Sequence, residues 1–149
     1  MRVSQSWFIM FLDAKPSWTQ AWGFMLKRGY RHVILCRYEV EVDMFLAFEI
    51  WSGGGRVKLI QPYQFVQIQG ICEEVLLGVT DVDPYRPMLP RLFTCVGVVK
   101  HMFGMRWPLT FTPWQLRCTL LRTGMADKYD PDYLHDGELD GDVLEAQSS

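Results

Sequence analysis

No two of the four cysteines in this 149-residue chain form a CxxC pair; Cys36, Cys72, Cys95 and Cys118 are widely spaced. That spacing argues against a zinc site and against a disulfide framework. It suits free thiols in a reducing compartment, or in a particle assembled there. An excess of positive charge is also missing. Fifteen basic residues stand against 17 acidic ones, a net charge of −2, so the chain lacks the basic balance or stripe of a nucleic-acid binder. No stretch approaches the roughly 18 apolar residues of a membrane span. The N-terminal run at residues 7–12 has six. It is short for a signal peptide, and no small-residue cleavage site follows. The expectation is a soluble protein outside the usual secretory route. Gly53, Gly54 and Gly55 make a flexible turn, and no Gly-Lys-Ser/Thr follows to turn it into a phosphate loop.

What the chain does have is apolar and aromatic content, 49% and 14%. That composition and length suit one globular domain with a core of its own. Residues 6–12 read as a buried strand or a short docking segment. Residues 16–30 read as a short helix or compact turn ended by Gly29, with Trp18 and Trp22 in the core, on its rim or lining a cleft. Residues 30–40 (YRHVILCRYEV) are β-branched and aromatic and predict a strand with His32 near its start. Residues 40–52 alternate, with Val42, Met44, Leu46, Phe48 and Ile50 on one side and a mixed set including Asp43 and Glu49 on the other. Residues 56–60 and 63–69 read as further strands, with Pro62 at an edge or bend. Together these predict an antiparallel meander of four or five strands. Residues 71–80 are ambiguous between helix and strand, and three prolines in 81–90 predict an extended loop.

The late stretch at residues 93–121, FTCVGVVKHMFGMRWPLTFTPWQLRCTLL, organises the rest. Thr94 is a good N-cap with Cys95 at the first helical position, Val96, Val99, Met102 and Phe103 give one apolar face, and Gly104 ends the helix. Thr112 and Pro113 open a second helix, buried through Trp114, Leu116, Leu120 and Leu121. A helix N-terminus favours a thiolate over a thiol, so Cys95 is either a candidate nucleophile or a small residue filling a corner. A cysteine hydrolase also needs an imidazole on a facing strand and a polar group to orient it. His32 meets the first requirement. Glu49, on the next strand, is the first choice for the second, with Asp43 as runner-up. His101 lies on the same helix as Cys95, most of two turns away, too far to be the base.

Beyond residue 126 the chain changes character. Its last 24 residues carry eight acidic side chains and one lysine. Such a segment is disordered on its own. It reads as an acidic C-terminal arm (126–149) following a single domain (1–125), docking on a neighbouring subunit or lying along its own domain.

The order of these parts, an early strand with His32 and a late helix with Cys95, resembles the circularly permuted branch of the papain fold, related to the NlpC-type cell-wall peptidases. The run FTCVGVVKHMFGMR followed by TPWQL is similar to a segment of phage-encoded members, and the resemblance covers residues 29–121. It implies an α+β, permuted papain-like fold in which a β-meander packs against the late cysteine helix. It also implies catalysis by Cys95, His32 and Glu49 on a peptide or amide bond, with peptidoglycan as one candidate substrate and no metal or organic cofactor. Cys95 would attack the carbonyl while His32 takes the thiol proton. Three readings follow. One is a phage-type cysteine amidase or peptidase. Another is a structural or interaction subunit of a virion that keeps the fold without using the site. The third is an unrelated β-rich domain. Under the first two the chain belongs in the virion or the host cytoplasm, with other virion subunits as protein partners through the arm.

Overall fold

The apolar run near the N-terminus lies in the middle of the protein's sheet. The structure, a computed structural model, describes residues 3–13, 26–51, 54–82, 94–106 and 109–131. In chain order the elements are β1 (Val3–Leu12), β2 (His32–Glu39), β3 (Met44–Trp51), β4 (Gly54–Ile60), α1 (Pro62–Ile71), β5 (Glu74–Val82), α2 (Cys95–Met102), α3 (Pro113–Thr123) and β6 (Ala126–Lys128). The strands form one antiparallel sheet in the order β4-β3-β2-β1-β5-β6. The protein is therefore α+β.

Four of the six strands form the expected meander. β1 to β4 follow one another across it, and then the chain returns through α1 to lay β5 on the free side of β1, with Phe8 opposite Leu77. The segment at 63–69, read as a strand, is the helix α1. Its start explains the difference. The Gln61 N–H donates to Gln64 Oε1 at 2.8 Å, and Pro62 sits at the first helical turn, where a missing N–H costs little. The apolar pair Phe65 and Ile68 is spaced i, i+3 and turns one helical face toward the sheet. The ambiguous 71–80 resolves as the cap of α1 followed by β5. β5 runs through Val82, and residues 83–90 of the expected loop, like the 16–25 stretch with Trp18 and Trp22, lie outside the described residues.

Strand alternation divides the core in two. Odd residues of β1 and β2, including Trp7, Ile9, Phe11, Val33 and Leu35, pack under α2 and α3 with Leu116 and Leu120. Even residues, including Met10, Leu12, Ile34 and Cys36, pack with Ala47, Ile60 and Phe65 beneath α1. The two late helices are capped as their sequences indicate. Thr94 Oγ1 accepts from Gly97 N at 3.0 Å, and Thr112 Oγ1 accepts from Gln115 N at 3.2 Å. Gly104 and Gly124 close them at φ 62° and 67°. The front end of α3 is tied to the sheet by charge: Arg117 donates to both carboxylate oxygens of Glu74 on β5, and the Tyr30 hydroxyl adds a 3.3 Å bond.

The expected arm does not begin as a tail. Ala126–Lys128, its first residues, form the edge strand β6 against Leu76, Leu77 and Gly78, and Tyr129 packs in the α1-side core. Residues 132–149 lie outside the described residues.

Candidate functional site

Cys95 takes the position the sequence indicates, at the first turn of α2 behind its Thr94 cap. Three main-chain N–H groups, those of Val33, Val96 and Cys95 itself, favour its thiolate. Burial outweighs them and holds the thiol above its ordinary 9.0. Cys95 is half-buried and packs against the cluster that includes Val33, Val96 and Val99. Desolvation therefore outweighs these N–H groups and disfavours the thiolate of Cys95.

His32 opens β2 and is 2% exposed. It stands directly opposite Leu12, a residue of the α1-side core. Burial lowers its pKa, and the Glu49 carboxylate partly offsets that. Glu49 shares this face. It neighbours Ala47 by alternation, its charge also reaches Cys36, and it accepts from Lys58 Nζ at 3.0 Å. The structure thus brings His32 and Glu49 together beneath α1. Cys95 lies over the other face, against the backbone of β2. Neither Cys95 nor His32 is among the groups that shift the other's titration. By strand alternation His32 falls on the α1 side, whereas Cys95 packs with the cluster under α2 and α3.

The runner-up acid is elsewhere. Asp43 is not on the mixed face of β3 but in the β2–β3 turn, at a left-handed φ of 51°, where it accepts from the Tyr38 hydroxyl. That turn is at the opposite end of β2 from His32. His101 is in the last turn of α2, where a basic residue complements the helix dipole. Its six-residue separation from Cys95 corresponds to about 9 Å of helix rise.

All four cysteines are free. Cys36 is pushed up to about 12 and Cys72 to about 11, each chiefly by burial, and Cys118 is the exposed one. Among the described residues no group of three His, Cys, Asp or Glu side chains is placed to hold a metal ion. No described helix is long and apolar enough to cross a membrane. Sequence reasoning overlooked Lys58, the cation that holds Glu49. The signal was available in the alternation Arg56-Val57-Lys58-Leu59 beside the mixed face of β3. Comparison with known proteins finds no matching family model, no matching curated protein and no matching solved structure.

Proposed function

We propose that this chain is a structural or interaction subunit of a phage particle, one that keeps a permuted papain-like order of elements without a working cysteine–histidine pair. The order supports the kinship: His32 on an early strand, Glu49 on the next, and Cys95 at the capped start of a late helix. The observation that carries the non-catalytic reading is the thiol's surroundings. A nucleophilic cysteine needs a depressed pKa or a base within hydrogen-bond reach. Burial raises the Cys95 pKa, and His32 shares the far face with Leu12. The hydrolase reading, on peptide or peptidoglycan, draws on the N–H groups around Cys95 and on the buried His32–Glu49 pair. It requires sulfur and imidazole to meet on one side of the sheet.

Alkylation of the native protein by iodoacetamide, followed cysteine by cysteine with mass spectrometry, separates the two. The expected order has Cys118 first and Cys95 slow, with a Cys95 rate unchanged by His32→Ala. Labelling of Cys95 ahead of Cys118 near pH 7, slowed when His32 is removed, would replace this reading with the hydrolase.

A further inference from the structure

One long edge of the sheet is left open with an unusual side-chain pattern. Among the described residues no strand lies beyond β4. Its register against β3 sets Arg56 opposite Glu49 and Lys58 opposite Ala47 on the α1 face, and Val57 opposite Phe48 and Leu59 opposite Leu46 on the other. Val57 is 60% exposed and Leu59 53%, and both basic side chains are exposed too. Among the described residues the edge therefore pairs with no further strand, and it has a cationic side and an apolar side, alternating with period two. A second β4 is a poor partner. Antiparallel pairing about Val57 would set Arg56 against Lys58, like charge against like.

The complementary pattern occurs in this chain. Residues 138–143, outside the described residues, read ELDGDV: Glu138, Asp140 and Asp142 alternate with Leu139, Gly141 and Val143. An antiparallel register with Asp140 opposite Arg56 puts Glu138 opposite Lys58 and Leu139 opposite Val57. The register with Asp140 opposite Lys58 puts Asp142 opposite Arg56 and Leu139 opposite Leu59. In both, each cation meets an acid and the leucine meets an aliphatic side chain. The wider charge balance agrees. Residues 1–125 carry 14 basic and nine acidic side chains, whereas 126–149 carry one and eight.

We propose that residues 138–143 of a second copy add to β4 as a seventh strand, by β-augmentation with charge matching on one face. Reach favours the second copy over the same chain. The description ends at residue 131, just past β6 at the opposite edge of the sheet. Five strand spacings make about 24 Å. Residues 132–138, fully extended, span about 24 Å, with no slack to pass around the helices. Head-to-tail addition of this kind links copies in series. This inference rests on the reading of the chain as an interaction subunit and names its partner.

The test is sedimentation velocity of the full chain over a range of concentration and salt. The expected result is salt-sensitive self-association, weakened at least tenfold by Arg56→Glu/Lys58→Glu and equally by Asp140→Lys/Asp142→Lys, and recovered when the two reversed variants are combined in one chain. The tail variant changes no residue of the described fold, so it keeps the test open if the strand variant fails to fold. A chain that stays monomeric at all concentrations would overturn the proposal, as would self-association indifferent to both reversals. Neither outcome touches Cys95 alkylation, so failure here is distinct from failure of the non-catalytic reading.

Discussion

The two faces of the sheet treat their polar and titratable groups differently. Under α2 and α3 the core is mainly apolar, and the one cysteine there, Cys95, is pushed by burial toward its neutral form. Under α1 the apolar cluster has a polar margin in which His32, Glu49 and Lys58 act on one another. A residue's chemistry is thus set less by its type than by the side of a strand it falls on. Even and odd positions of β2 differ by one residue in sequence and by the thickness of a sheet in space.

The largest contrast should appear in packing. Leu120→Ala on the two-helix face should cost about 2–5 kcal/mol, because Leu120 is fully buried in the larger cluster. Val66→Ala, on the exposed side of α1, should stay within about 0.5 kcal/mol. Urea denaturation of both variants measures the difference; equal losses would break the contrast. Gly78→Ala should come next, at about 1–3 kcal/mol. A Cβ there would lie 2.6 Å from the Phe103 ring and 2.9 Å from the Met125 carbonyl oxygen.

A smaller effect should appear in the pH dependence, and each face contributes one group to it. Unfolded His32 takes up its proton near 6.5, while burial keeps the folded imidazole neutral to lower pH. Between those values the unfolded state binds more protons, so stability falls as pH drops below about 6.5. The denaturation midpoint should lose that slope in His32→Leu, once each variant is referenced to its own value at pH 8. Glu74 works in the same direction at lower pH. Burial raises its carboxyl, but the hydrogen bonds and charge of Arg117 win and lower it, so its contribution disappears as pH falls through and below 4.5. The smallest change is at the α3 cap, where Thr112→Ala should cost about 1 kcal/mol on thermal melting.

Local signals in the sequence were good guides where local chemistry decides. Thr94 with Cys95 and Gly104 place both ends of α2, and Thr112 with Pro113 the start of α3, within a residue. β3 was visible in its alternation and β2 in its β-branched and aromatic content, while β1 was one of two readings of an apolar run. The helix at 63–69 was not visible, because Tyr63, Phe65 and Val66 have strand-like propensity while the Gln61–Gln64 cap and Pro62 favour a helix. The position of β5 beside β1 is a long-range fact that no window of sequence encodes. The site was half legible. Glu49 was placed beside His32 because both lie on neighbouring strands with readable alternation. The face that α2 would cover was not readable, and on that depends whether Cys95 meets the imidazole.

Trapping across that divide is the most direct measurement. In the His32→Cys variant, oxidation with copper-phenanthroline followed by peptide mapping should give no disulfide between position 32 and Cys95, because alternation turns position 32 toward α1 while Cys95 packs with the cluster under α2 and α3. Rapid and high-yield formation of that bond in the folded protein would put sulfur and ring side by side and contradict the account.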